Sequence, residues 1–372
     1  MSPENAPPPR PPGGRFAALL RSELSDLSSY VPHAGRFDVR LDANEAPALL
    51  SDEARARIDA ALAPADYGRY PDATHAELRA ALAARVGARP EEILVGIGSD
   101  EIIALLLTAL DRPRSGAPAT TVVTTAPTFV MYKISARARG MKVVEVPLDD
   151  RWDLAEASML RAIELARPNL VFVATPNNPT GGLVSRDRLE RVIAAARDAV
   201  VVVDEAYVDF APRSQLDLKD RYDNVVVLRT LSKIGFAALR VGWLVGPEEL
   251  VREVDKTRQP YNLPTPTQRA ATVVVRDLAD EVRRVVGAIV GERERLAAAL
   301  VALGLDVPPS HANFLWAGTP GPAGPVFEAL AARGVLVRSF HATGGRLGNR
   351  LRITVGTAAQ NDRLLEELPR CL

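Results

Sequence analysis

Residues 170–182 read LVFVATPNNPTGG, five apolar residues that run straight into a polar, turn-rich stretch. The shape recurs twice. Residues 200–210 read VVVVDEAYVDF, and residues 225–233 read VVVLRTLSK. Short continuous apolar runs bounded by turn signals predict strands buried on both faces. A helical pattern at 183–196 separates the first run from the second. Working outward, 120–125, 142–146 and 241–245 predict further strands, and 76–86 and 102–110 predict helices. Strands that alternate with helices predict a mainly parallel sheet, because parallel neighbours need crossover connections. After Pro260 the texture changes. A long helical stretch over about 267–303 predicts a spine between two domains. A segment at 312–316, a helix at 326–333 and strands near 335–338 and 351–355 predict a smaller α+β domain beyond it.

In open parallel sheets, ligands bind beyond the carboxyl ends of the strands. The three quoted runs bring Asn178, Asp204, Tyr207, Ser232 and Lys233 to that rim. Taken singly, each has a bland alternative. Asp204 reads as a turn cap, TPNNPTGG as a loop, Lys233 as a solvated surface lysine, and Tyr207 as a core aromatic with a wet tip. Together they suit one cofactor. Pyridoxal 5'-phosphate needs a lysine amine for its aldehyde and a carboxylate for its pyridinium nitrogen. Lys233 and Asp204 supply those, and Tyr207 and Asn178 supply donors for the ring phenolate. Gly96, Ile97 and Gly98 predict a Gly-rich turn, after which Ser99, Asp100 and Glu101 open a helix. Free N–H groups at a helix start form an anion site. Thr230 and Ser232 add hydroxyls, and Arg240 adds a guanidinium fork. Lysine chemistry is easy to localise, since the lysines are Lys133, Lys142, Lys219, Lys233 and Lys256.

Composition excludes other classes. The chain has 372 residues, with 46 basic against 46 acidic side chains, and shows no basic stripe for nucleic acid. No apolar run is long enough to span a bilayer. The one cysteine, Cys371, makes neither an internal disulfide nor a zinc site, and fits a reducing, cytoplasmic compartment. Residues 1–14, MSPENAPPPRPPGG, have no apolar signal-peptide core and predict a disordered lead.

The chain resembles the fold-type I pyridoxal-phosphate aminotransferases, and within them the histidinol-phosphate aminotransferase family. The resemblance runs through LDANEAP (41–47), RYPD (69–72), GIGSDE (96–101), APTFVMY (126–132), TPNNPTG (175–181), VVDEAYVDF (202–210), RTLSK (229–233), ALRVGW (238–243), PYNLP (260–264), HANF (311–314), GVLVRSF (334–340) and LRITVGT (351–357). It implies an α/β fold with a seven-stranded-type, mainly parallel sheet. It also implies a large domain over 46–269 and a small domain over 15–45 plus 270–372. Lys233 is implied as the cofactor-bearing lysine and proton shuttle, with Asp204 on the ring nitrogen and Tyr207 and Asn178 on the ring oxygen. Tyr132 is implied to stack on the ring, and Ser99, Asp100, Glu101, Ser232 and Arg240 to surround the phosphate. Tyr70 is implied to reach a neighbouring subunit's site, hence a homodimer. Arg352 and Arg338 are implied to bind the acidic end of the substrate, with Asn44 lining the entrance. Two arginines suit a phosphate dianion better than one carboxylate. The substrates implied are histidinol phosphate and the 2-oxoglutarate/glutamate pair. Aromatic amino acid aminotransferases and threonine-phosphate decarboxylases share these motifs. A non-catalytic module that binds the cofactor is the remaining alternative, and such modules carry a DNA-binding domain for which the short lead leaves no room. One departure stands out. SKIGFAALR has one residue fewer between Lys233 and Arg240 than many relatives, so the loop is expected to close more tightly.

Overall fold

The computed structural model describes residues 16, 19–27, 33, 35–47, 49–62, 66–114 and 116–372. The Pro-rich lead lies outside these described residues. Among them the strands are β1 (Val39–Leu41), β2 (Ile93–Ile97), β3 (Thr121–Ala126), β4 (Lys142–Pro147), β5 (Leu170–Ala174), β6 (Val200–Asp204), β7 (Val225–Thr230), β8 (Val241–Val245), β9 (Phe314–Gly318), β10 (Val335–Ser339) and β11 (Arg350–Thr354). Seven of them form one sheet in the order β2-β8-β7-β6-β5-β3-β4. The β4-β3-β5-β6-β7 run is parallel throughout. Every residue of β5 is buried, and so are four of the five in β6, which is what sheets covered on both faces require. The expected α/β class, with a mainly parallel seven-stranded sheet and a smaller second domain, is the observed one.

β8 is the exception, antiparallel to both β2 and β7. Its reversal brings the start of β8, and the ends of β2 and β7, to one edge. In place of the Gly-rich turn expected at 96–98, β2 continues through Ile97. Gly96 pairs with Gly242 across the ladder, and helix Gly98–Ala109 begins at once. The absence of a side chain at Gly242 is what permits that. A Cβ there would lie 2.3 Å from the Ser99 nitrogen and 2.4 Å from the Gly98 carbonyl carbon.

The remaining four strands form a second sheet, β1-β10-β11-β9. β1 comes from the start of the chain and pairs parallel with β10. The predicted spine is two helices, Thr265–Asp277 and Ala279–Ala302. The chain breaks helical geometry at Leu278, whose side chain turns into the core. The second helix serves both cores. Val282, Val285 and Ile289 pack on the large sheet, while Leu296 and Leu300 pack with Val39, Leu315, Val337 and Ile353 on the small one.

The contact at Gly242 is testable. Gly242→Ala forces backbone against backbone and is expected to lower unfolding stability by roughly 2–4 kcal/mol. Urea melts should show a lower midpoint at unchanged slope. An unchanged midpoint would mean that β8 and the helix start are not in tight contact.

Candidate active site

The carboxyl ends of β5, β6 and β7 lie side by side, so the three quoted segments meet at one rim. Asn178 follows β5, Asp204 ends β6, and Ser232 and Lys233 follow β7. The reversal of β8 adds two more groups to this edge. Gly98 follows β2, Arg240 precedes β8, and the Gly98 N–H donates to the Arg240 carbonyl at 2.8 Å.

Asp204 is 4% exposed. One carboxylate oxygen accepts the Tyr132 hydroxyl, and the other accepts the Ala206 N–H at 2.9 Å. Burial raises its carboxyl from 3.8 to about 6, against the opposing pull of these hydrogen bonds and of Lys233. A carboxylate held out of water in this way favours a cationic partner.

Two donors are set up beside it. The Asn44 side-chain nitrogen donates to the Tyr207 hydroxyl oxygen at 2.9 Å, which leaves the tyrosine's own proton free to give. Arg352 donates to Asn178 Oδ1 at 2.7 Å, so the Asn178 Nδ2 hydrogens remain available. Lys233 Nζ lies 5.8 Å from the centre of the Tyr207 ring. The loop carrying Asn178 is fixed by its neighbour Asn177. That side chain accepts from Thr128 at 2.8 Å and donates to Pro127 O and Thr180 Oγ1, each at 3.0 Å.

An anion cradle adjoins this group. Two short 3-10 turns, Ser232–Ile234 and Ala237–Leu239, take up the shortened link between Lys233 and Arg240. Arg240 takes a left-handed φ of 52°. Its guanidinium reaches Ser232 Oγ at 3.4 Å. Thr230 Oγ1 lies 2.9 Å from the same oxygen and accepts the Ser232 N–H at 3.1 Å. Gly98 has φ +68°, and a Cβ on it would lie 2.7 Å from Arg240 Nη2, so the glycine keeps that space open. The first-turn N–H groups of Ser99, Asp100 and Glu101 lack intrahelical acceptors.

Several expectations need correcting. Tyr132 has no exposed surface and so has no face to offer a ligand. It stacks on Phe172 at 4.6 Å and holds Asp204 from behind. Phe129, half-buried and edge-on to Tyr132 at 5.5 Å, is the aromatic of that segment with surface to spare. The Glu101 carboxylate turns back onto the Ile97 N–H (2.6 Å) and Asn262 (2.7 Å), so it serves the helix start. The Asp100 carboxylate pairs with Arg240 at 3.5 Å. Being anions, these two residues suit a phosphate only through their backbone N–H groups. Asn44 is 2% exposed and lies behind Tyr207 instead of lining an entrance. Thr354 and Asn313 hold it there. Both sit in segments that the sequence comparison had matched, LRITVGT and HANF, but hydrophobic patterning gives a buried polar clamp no signature. Arg338 and Arg352 sit opposite each other on β10 and β11, and so on one face. Among the described residues Arg338 has no hydrogen bond or ion pair. Tyr70 is 81% exposed and stacks on Tyr261 at 4.6 Å, turned outward.

Comparison with known proteins agrees with this geometry. The family model for aminotransferase class I and II matches residues 38–368. A histidinol-phosphate aminotransferase of Methylibium petroleiphilum is 40% identical, across 98% of this chain and 97% of the relative. One of Roseiflexus castenholzii is also 40% identical, across 95% and 98%. Among solved structures, histidinol-phosphate aminotransferase from Sinorhizobium meliloti in complex with pyridoxal-5'-phosphate superposes with a TM-score of 0.82. It is 25% identical and covers 90% of this chain and 91% of that one. An aspartate aminotransferase variant from Thermus thermophilus gives 0.76 at 25% identity, covering 90% of this chain and 96% of that one. The chain belongs to the class I and II aminotransferases, and within them to the histidinol-phosphate aminotransferase family.

Proposed function

We propose that this chain transfers the amino group between histidinol phosphate and 2-oxoglutarate, as a step of histidine biosynthesis, using pyridoxal 5'-phosphate. The observation that carries this is the 40% identity to histidinol-phosphate aminotransferases over nearly the full length of both chains. The residues present fit the cofactor. A buried carboxylate with a raised pKa suits a ring N–H cation, and the Gly98 cradle with Arg240 and Ser232 suits a phosphate.

When bound, the cofactor supplies a carbonyl for the substrate amine and an electron sink for the Cα–H bond. Asp204 holds the proton on the ring nitrogen. Tyr207 and Asn178 donate to the ring oxygen with the hydrogens that Asn44 and Arg352 leave free. Ser99, Asp100 and Glu101 through their N–H groups, with Thr230, Ser232 and Arg240, bind the phosphate. Lys233 Nζ would hold the cofactor through its carbonyl carbon, and as a free amine it would take the proton from the substrate Cα as a general base. Arg338 and Arg352 bind the substrate phosphate, and a carboxylate of glutamate in the other half-reaction. Tyr70 completes the site of a second copy in a homodimer, which its outward position supports. Residues 46–269 form the cofactor domain, and 15–45 with 270–372 form the smaller one. The enzyme works in the cytoplasm on small molecules. Among the described residues no helix is long and apolar enough to cross a membrane.

Two measurements test this reading. In the half-reaction, histidinol phosphate should bleach the visible band of the loaded protein at far lower concentration than phenylalanine. A stronger response to phenylalanine would move the assignment to an aromatic substrate. The second uses Asp204. Its folded pKa is raised above 3.8, so the folded apoprotein binds this proton more tightly than the unfolded chain does. The residue therefore withdraws stability as pH rises from about 4 to about 6. A cation on the carboxylate restores it. Cofactor loading should raise the melting temperature more at about pH 7.5 than at about pH 5, and Asp204→Asn should flatten that difference. An equal rise at both pH values in the unaltered protein would remove Asp204 from the ring nitrogen.

A further inference from the structure

β10 and β11 pair at two positions, Arg338 with Arg352 and Ser339 with Leu351. Arg352 is held further by five β11–β9 pairs and by Asn178, whereas Arg338 lies just past the end of the β1–β10 ladder and has only this short pairing. The segment that joins the strands, residues 340–349 (FHATGGRLGN), bridges the two domains: its end accepts the Ala323 and Thr319 N–H groups of the small domain at Gly348 and Asn349, and its middle lies on the large domain. Arg346 anchors it. Its Nη1 donates to the Leu148 carbonyl at 2.8 Å and its Nη2 to the Asp149 carbonyl at 3.0 Å. The guanidinium sits 3.8 Å above the Trp152 ring. Leu347 and Phe340 pack on the cluster that joins Leu148, Trp152 and Val184 of the large domain to Trp316 of the small sheet. Trp316, on β9, meets Trp152 edge-on at 5.7 Å and Phe340 at 4.9 Å.

The seat under Arg346 is rigid. Trp152 has a left-handed φ of 64°, a conformation a bulky residue keeps only where its surroundings fix it. Those surroundings are present. The Trp152 N–H donates to the Asp149 carbonyl at 3.0 Å. Asp149 Oδ1 accepts the N–H groups of Arg151 and Asp153, each at 2.9 Å, and Oδ2 accepts Arg188 at 2.7 Å. Asp153 in turn accepts the Ser185 N–H at 3.0 Å. This frame belongs to the same sheet that carries Asp204 and Lys233. An arginine bonded to two carbonyls and stacked on an aromatic face is a directional clamp that a lysine does not reproduce.

We propose that Arg346 is a positioning residue. By latching the β10–β11 link onto Leu148, Asp149 and Trp152, it sets the distance between the Arg338/Arg352 pair and Lys233, and so selects a substrate with an anionic end at that reach. The inference rests on the histidinol-phosphate reading, and its test separates the two.

The test compares Arg346→Leu and Arg346→Lys with the unaltered protein, all loaded with cofactor. Turnover is measured at saturating 2-oxoglutarate, with histidinol phosphate and with histidinol, which lacks the phosphate. Arg346→Leu should raise KM for histidinol phosphate about tenfold, the loss of one well-made charge-assisted contact. Its kcat, and its KM for histidinol, should stay within about twofold. Arg346→Lys should recover part of the loss. Tryptophan emission should move to the red in Arg346→Leu, because Trp152 loses its cover while Trp243 and Trp316 stay buried. Equal losses with both substrates, or no change with either, overturn the proposal. If the unaltered protein does not prefer the phosphate ester, the histidinol-phosphate reading fails instead. Inhibition by inorganic phosphate, measured with whichever amine is turned over, then decides the role of Arg346. Inhibition about tenfold weaker in Arg346→Leu sustains it, and unchanged inhibition overturns it.

Discussion

Asp204 ends β6 almost wholly out of water, the last of four successive buried positions that begin at Val201. A charge in that position is costly unless a partner meets it. Tyr132 and the Ala206 N–H offset part of the cost, yet burial still pushes the carboxyl up to about 6. A cationic partner at that carboxylate would offset the rest. Much of the surrounding construction follows from that demand. The neighbouring strands β5 and β7 run parallel to β6, so their polar exits, Asn178 and Lys233, end beside Asp204.

The second constraint is the reversed strand. Had β8 run parallel to its neighbours, its start would lie at the far edge of the sheet, and Arg240 would be a sheet's depth from Gly98. Antiparallel pairing puts both at the same rim, and two facing glycines let the helix start cross directly over β8. Helix N-terminus, hydroxyls and guanidinium then converge without any long loop. The small sheet contributes from the opposite side through one face of β11. Arg350 lies over Trp152 and Trp316, Arg352 holds Asn178, and Thr354 holds Asn44. A single strand therefore joins the domain contact to Asn178 and Asn44 at the rim.

Much of this was legible in the sequence because buried parallel strands leave an unmistakable trace. The Val-rich runs at 170, 200 and 225 marked their own ends, and each end carried a polar residue that strand packing alone does not call for. Other features left no such trace. β2 was hidden because Gly96 and Gly98 read as a turn, although Gly96 is a strand residue facing another glycine. The break at Leu278 was hidden because the apolar pattern continues through it. The clamps behind the site (Tyr132 on Asp204, Asn44 on Tyr207, Glu101 on the helix start) depend on which way a side chain points once the fold is built. A motif names the residue and leaves that direction open. The seat of Arg346 on Trp152 is of the same kind, since nearly two hundred positions in the chain separate its two halves.

The claim on which all the chemistry depends is that Lys233 carries the cofactor. Borohydride reduction of the loaded protein, followed by peptide mapping, fixes the cofactor to whichever lysine holds it. The chain offers few choices: Lys133, Lys142, Lys219, Lys233 and Lys256. The structure predicts the label on the peptide that contains Lys233 and on none of the others. Label on another lysine, or a loaded protein that takes no label, would contradict the account at its centre.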